Sequence, residues 1–190
     1  MALACLSRQP FGARLSKVKG NMSAQSIDQE ELIAKYGNCP SQLEAPLIDL
    51  SERNLDLRKS AQGWTIRETI HHIADGDDMW KLFIKRAVGN PKGEYSFDWY
   101  WQVAQDEWAR SWHYEERSIE PSLAMFRANR GHIVQLLKHT PGALEKSLRV
   151  RWPTKLGEQE VKVALVVEGQ TQHALAHIAE IREIRDVHGV

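Results

Sequence analysis

The sequence predicts an all-α bundle, and three observations predict it. Apolar residues recur at helical spacings of three, four and seven in at least four separate segments. Only Leu148-Arg149-Val150-Arg151-Trp152 alternates as a strand does, which implies one short extended excursion near 148–160. The clearest helix start, Thr65-Ile66-Arg67-Glu68, is a capping box whose side chains satisfy free backbone donors of the first turn.

A chain of 190 residues suffices for one domain with a full core. We divide it into a basic leader, residues 1–27, and a bundle domain, residues 28–190. The leader carries Arg8, Arg14, Lys17 and Lys19 and no acid, whereas the whole chain balances 25 basic against 25 acidic residues, so the body is mildly acidic. That balance argues against a protein built to grip nucleic-acid phosphates. The leader has no apolar stretch long enough for a secretory signal. It reads as a disordered tail, as an upstream misreading with Met22 as the initiator, or as an organellar transit peptide, whose composition it superficially shares. Residues 1–21 are expected to be dispensable. The apolar run Val163 to Val167 falls far short of the ~20 residues a bilayer requires. Cys5 and Cys39 have no short spacing, so they support neither a disulfide scaffold nor a thiolate metal site, and they fit a reducing cytoplasm.

Taken in order, Leu32 and Ile33 mark a short first helix, which Gly37-Asn38-Cys39-Pro40 is expected to break. Leu43, Leu47, Ile48 and Leu50 mark a longer second helix, capped by Ser41 and kinked at Pro46. Arg58 to Gly63 is a polar turn. The helix after Thr65 carries the core-facing stripe Ile66, Ile70, Ile73, Trp80 and Ile84. Between Asn90 and Glu120 the pattern gives way to Tyr95, Phe97, Trp99, Tyr100, Trp101, Trp108, Trp112 and Tyr114. Such a concentration fits a satellite core under a long loop, the preferred reading, or the wall of a substrate pocket. Base stacking is disfavoured, because only Arg110 and Arg117 bring positive charge nearby. Pro121 opens a helix with the stripe Leu123, Phe126, Ile133, Leu136 and Leu137, which ends before Thr140-Pro141-Gly142. After the alternating stretch, Pro153 to Gly157 turns the chain, and a last helix over Val161–Val187 carries Leu165, Val166, Ile178, Ile181 and Ile184.

That last helix also carries His173 and His177. Four residues apart, they leave one helix face a turn from each other, and a turn rises about 5.4 Å. Two such rings can bring one nitrogen each to about 2.0–2.1 Å from a shared transition-metal ion. A mononuclear catalytic ion takes three protein ligands and keeps a position open, so a third is needed. His71 and His72 flank the stripe of the earlier helix on opposite sides. The helical neighbours of His71 are Arg67, Asp75, Asp78 and Leu82, which predicts the wetter environment; those of His72 are Glu68, Asp75, Gly76, Met79 and Phe83. His72 is therefore the candidate third ligand. Histidines at this spacing are also common on helices that bind nothing.

Trp64-Thr65, His72-Ile73, and His173 with His177 followed by Ile181 resemble the motifs of the DinB/YfiT-like family of metal-binding helical bundles. The tract His71-His72-Ile73-Ala74-Asp75 is similar to the YfiT branch in particular, and the match covers roughly residues 28–187. The resemblance implies a four-helix bundle with one long crossover connection. It implies a three-histidine site at His72, His173 and His177 for a divalent transition metal, zinc or nickel. The family includes hydrolases and thiol-dependent S-transferases or isomerases, so a reaction does not carry over with the ligands.

Two functional expectations follow. One is a metal-dependent hydrolase or thiol-dependent transferase acting on small molecules, with a low-molecular-weight thiol as a partner. The other is a non-catalytic metal- or ligand-binding bundle in a stress response. Three imidazoles favour zinc, nickel or cobalt over calcium or magnesium, which prefer oxygen ligands. Glu68, one turn from His72, is the candidate catalytic base, in competition with its duty in the capping box. Glu180, just beyond His177, is a candidate partner behind that ligand. Neither a nucleic-acid nor a membrane partner is expected, a homodimer is left open, and the expected location is the cytoplasm.

Overall fold

The fold is described for residues 28–152 and 157–190 of a computed structural model. The expectations for the leader and for the turn at 153–156 lie outside the described residues.

Helix α1 (Gln29–Glu44) opens on Asp28, whose carboxylate accepts from the backbone N–H groups of Glu30 and Glu31. The break expected at Gly37–Pro40 is absent, and α1 runs straight through it. Pro40 has no N–H to offer the carbonyl of Tyr36, four residues back. Arg130 supplies that donor from another helix, its Nη1 lying 3.2 Å from the Tyr36 oxygen. Gly37 is a packing residue rather than a stop signal, since a Cβ there would come within 3.0 Å of Val134 Cγ2. The expected second helix kinked at Pro46 is also absent. Pro46 lies in a 3₁₀ turn, Ala45–Leu47, followed by a single helical turn, α2 (Glu52–Leu55), which a Ser51–Asn54 capping box opens.

Helix α3 (Ile66–Gly89) begins where the capping box placed it. Thr65 Oγ1 accepts from Glu68 N at 3.1 Å, and Glu68 Oε2 accepts from Thr65 N at 2.8 Å. All five residues of the predicted stripe are buried. The chain then passes through strand β1 (Glu94–Ser96) and two short helices, α4 (Asp98–Trp101) and α5 (Gln105–Ser111). Helix α6 (Glu120–His139) starts with Pro121 in its first turn, as expected. Strands β2 (Ser147–Arg151) and β3 (Glu158–Lys162) pair antiparallel at the expected extended excursion, and α7 (Val163–His188) completes the fold, Val161 belonging to the strand rather than the helix. The sheet order is β1-β2-β3, with β1 parallel to β2. Three residues of β1 are too few to carry a period, so nothing in the sequence marked it.

The four long helices form a bundle in which α1 and α3 each pack on both α6 and α7. The apolar interior is divided in two. One core takes Leu32, Ile33, Phe83, Ile84, Ile133 and Val166 with Leu148, Val150 and Val161 of the sheet. The other takes Leu43, Ile66, Ile70, Phe126, Ile178 and Ile181. Reading each helix from core to core gives the directions: α1 and α7 run one way, α3 and α6 the other. Two neighbouring parallel helices need a connection that returns the length of the bundle, and residues 90–119 provide it. This is the long crossover. Its aromatics pack on the first core, with Trp101 stacked on Trp152 at 4.9 Å and Phe97 against Trp80 at 4.8 Å.

Candidate metal centre

Helices α3 and α7 are antiparallel neighbours, and their contact brings His72, His173 and His177 together. One ring nitrogen from each lies within 4.8 Å of the others. His72 Nε2 and His173 Nε2 are 3.1 Å apart, close to the roughly 3.4 Å edge of a tetrahedron built on bonds of about 2.0–2.1 Å. Gly76, one turn after His72, lies beside the His173 ring, where a Cβ would stand in ordinary contact at 3.7 Å from His173 Cε1. The three rings meet edge to face, with centroids 4.6–5.0 Å apart.

His177 is 2 % exposed. Its Nδ1 lies 2.7 Å from Glu180 Oε2. A carboxylate accepts, so Nδ1 carries the proton and Nε2 carries the lone pair. That Nε2 is buried and has no hydrogen-bond partner. A buried acceptor left without a donor costs about 1–3 kcal/mol, and it is what a cation between the three rings would satisfy. The donor set of three imidazoles also suits a borderline divalent ion. The residues present fit a metal. Glu180, selected from its spacing to His177, stands where that reading put it.

His71 overturns one expectation. It is 0 % exposed, not the wetter of the pair. Ser122 Oγ lies 2.8 Å from its Nδ1 and the Arg117 carbonyl 3.3 Å from its Nε2. Burial pushes its pKa down to about 4, so the ring is neutral. Nε2–H then donates to the carbonyl and Nδ1 accepts from the serine. His71 therefore ties α3 to the start of α6. The charged neighbours that suggested a wet site turn elsewhere: Arg67 pairs with Glu52 and Asp56, and Asp78 with Lys81.

Glu68 sits one turn before His72 with its carboxylate engaged in the cap. Trp64 stands edge-on to His72, ring centroids 4.6 Å apart, and its Nε1 donates to Asp106 Oδ1 at 2.6 Å. The crossover thus reaches the mouth of the histidine cluster through α5. Sequence reading missed Asp106 here, and it missed Asp75, whose Oδ2 accepts from Tyr114 O–H at 2.6 Å. Only contacts between elements far apart in the chain reveal either residue.

A second polar cluster separates the two cores. Arg130 and Asp77, each about 1 % exposed, pair at 2.7 Å. Arg130 Nη2 also donates to the Gln170 carbonyl at 3.0 Å, and its guanidinium lies 3.7 Å from the Tyr36 ring centroid. One side chain thereby touches all four long helices.

The comparisons agree with this geometry. A solved structure of YfiT from Bacillus subtilis, described as a probable metal-dependent hydrolase with an unusual four-helix bundle topology, superposes with a TM-score of 0.71. It covers 88 % of this chain and 91 % of its own at 18 % identity, so the likeness is one of fold. A curated protein of Oceanobacillus iheyensis is 27 % identical over 157 residues, 82 % of this chain and 87 % of that one. A second, from Bacillus mycoides, is 26 % identical over 168 residues, 86 % and 90 % of the two chains. Both bear the name "Putative metal-dependent hydrolase". The DinB superfamily profile matches residues 37–181, which span the bundle and all three clustered histidines, and the chain belongs to that superfamily.

Proposed function

We propose that the protein is a divalent-metal-dependent enzyme that hydrolyses small molecules, with His72, His173 and His177 as the ligands. The observation that carries this is the buried, unpartnered Nε2 of His177, aimed by the Glu180 bond on its other nitrogen. The names of the curated relatives support the same reading. Three ligands leave a position free for an exchangeable group, which a purely structural site would not need.

A divalent ion held there supplies a Lewis acid and lowers the pKa of a water or thiol nucleophile toward neutrality. The chain's own parts do the rest. Glu180 keeps His177 in the correct tautomer, Trp64 walls one side of His72, and Glu68 holds the helix start from which His72 projects. A low-molecular-weight thiol suits the same open position, which makes thiol-dependent transfer the second reaction class. Zinc or nickel suits three imidazoles best. Among the described residues no helix is long and apolar enough to cross a membrane.

Elemental analysis tests the ligand set. About one divalent ion per chain is expected, lost most completely in His173→Ala or His177→Ala, strongly reduced in His72→Ala, and little changed in His71→Ala. Unaltered metal content in all four variants would sink the assignment. The loaded protein is then assayed against ester and amide substrates and against electrophiles with a panel of small thiols. No turnover of any of them by the loaded protein would leave the non-catalytic binding bundle as the reading.

A further inference from the structure

We propose that the crossover sets the orientation of His72 through two positioning residues, Asp106 and Trp64, which hold an indole ring against the imidazole. The inference rests on the reading of the histidine cluster as a metal centre. His72 Nε2 is the nitrogen turned to the cluster, 3.1 Å from His173 Nε2. A histidine ring turns about its last side-chain bond with broad preferences, so a ligand ring needs a neighbour that fixes its plane. His177 has Glu180 at its other nitrogen. His72 is flanked by rings. Two of them are His173 and His177, each at 5.0 Å, and a third is Trp64, which meets it edge-on at 4.6 Å and 75°.

Both ends of Trp64 are held. Its backbone lies just before α3, where the Ile66 N–H donates to the Leu57 carbonyl at 3.2 Å and Arg58 pairs with Thr65. Its indole N–H donates to Asp106 Oδ1 at 2.6 Å, a short bond to a charged acceptor. Asp106 stands on α5, and the residues around it are fixed. Gln105 Oε1 accepts from Tyr100 O–H at 2.7 Å. Trp108 stacks on the Tyr100 ring at 5.6 Å, and its Nε1 donates to the Tyr100 carbonyl at 2.8 Å. Tyr100 is itself buried in the first core. A line of contacts therefore runs from that core through α4 and α5 to Asp106, Trp64 and His72, and the aromatics of the crossover bear on a metal ligand.

Trp64 is half-buried and Asp106 exposed, so their bond adds little to the stability of the fold. Its effect falls on the ring that it holds. An imidazole already turned to the ion need not be ordered at the moment of binding, so the contact acts on metal affinity.

The test is the zinc affinity of the full chain, measured by competition with a chromophoric chelator, beside the melting temperature of the zinc-free protein. Trp64→Phe keeps a ring next to His72 and loses the N–H, whereas Asp106→Ala loses the acceptor. Each should weaken zinc binding by about 3–10-fold, the low end of what a residue behind a ligand contributes. The double variant should bind no more weakly than either single one, because both remove the same contact. Asp106→Asn removes the charge and keeps the oxygen, so it should stay within about twofold of wild type. Trp99→Ala, an exposed ring elsewhere on the crossover, should leave the affinity unchanged, and all the zinc-free melts should match wild type. Equal weakening by Asp106→Asn and Asp106→Ala would mean that the charge merely attracts the ion, and a zinc-free melt that falls in step with affinity would make the pair part of the fold. Either result overturns the proposal. Wild-type affinity in both Trp64→Phe and Asp106→Ala also overturns it and leaves the metal centre standing. A wild-type chain that takes up no zinc overturns the underlying reading and this one with it.

Discussion

Two polar clusters interrupt the interior, five residues apart on α3, and they are built on opposite terms. The Asp77–Arg130 cluster contains its own cation. Arg130 meets a carboxylate, two helix carbonyls and an aromatic face, so every helix of the bundle is tied to one guanidinium. The histidine cluster has three convergent imidazoles, and the buried Nε2 of His177 has no hydrogen-bond partner. The first buries a cation against its counter-ion; the second gathers imidazole nitrogens, the donor set that we propose a divalent ion joins. Closed polar groups at the boundary between two cores hold the helices in place, which keeps α3 and α7 where their open cluster needs them.

The largest effect should come from breaking the closed cluster. Arg130→Met leaves Asp77 buried without its cation and returns the Tyr36 carbonyl opposite Pro40 to its unpaired state. The expected loss is about 3–5 kcal/mol in denaturant unfolding. Replacing both partners, Asp77→Leu with Arg130→Met, should recover part of this but not the two carbonyls that Arg130 serves. A single variant within about 1 kcal/mol of wild type would mean that the cluster does not hold the bundle.

The open cluster should respond the other way. In zinc-free protein His173→Ala should cost at most about 1–2 kcal/mol, since it removes a half-buried ring from a set of facing lone pairs. Its main effect should be loss of the upward shift in Tm that zinc gives the wild type, because a ligand that binds only the folded state stabilises it by mass action. Thermal melts with and without zinc separate the two. A zinc-free loss as large as that of Arg130→Met would erase the contrast between the clusters.

His71 belongs with the closed design although it adjoins His72, and pH distinguishes them. Its pKa is about 4 in the fold against 6.5 unfolded. A depressed folded value means the unfolded chain takes up the proton first as pH falls. The stabilisation is therefore whole above about 6.5 and is lost progressively down to about 4, by up to roughly 3 kcal/mol. Comparing zinc-free wild type with His71→Gln across that range isolates the effect, and the difference between them should shrink as the medium is acidified. A constant difference would show that the ring is not held neutral.

How much of this was legible in the sequence depends on the range of the interaction. The capping box at Thr65, the stripe on α3, the extended excursion near 148–160 and the His173–His177 pair are local patterns, and each appears where its spacing put it. His72 was chosen from helical geometry and does join the cluster, but the supporting reason failed: His71 is the drier residue, because Ser122 and the Arg117 carbonyl, distant in sequence, satisfy it. Gly37-Asn38-Cys39-Pro40 misled for the same reason. A glycine followed by a proline reads as a stop until Arg130, 90 residues away, is seen to replace the lost donor. Asp75, Asp106 and Trp64 acquire their roles only from the path of the crossover, which no period encodes.

Glu68 gives the smallest effect and the finest distinction, since the same carboxylate was both the candidate base and half of a capping box. The fold engages it in the cap, with Oε2 2.8 Å from the Thr65 N–H. Glu68→Gln keeps a carbonyl oxygen for that donor and removes only the charge near the positive end of α3, so the stability loss should be about 0.5 kcal/mol. Glu68→Ala removes the acceptor as well and should cost nearer 1 kcal/mol. Neither should change zinc content, because His72 projects from a turn that His71, Ile70 and Ile73 also anchor in the core. If the cap is its whole duty, Glu68→Gln should retain turnover within about threefold, whereas loss of a general base would cost ~10²-fold or more. A deep loss of turnover with intact zinc and an intact melt would return the base to Glu68 and place it beside the histidine cluster.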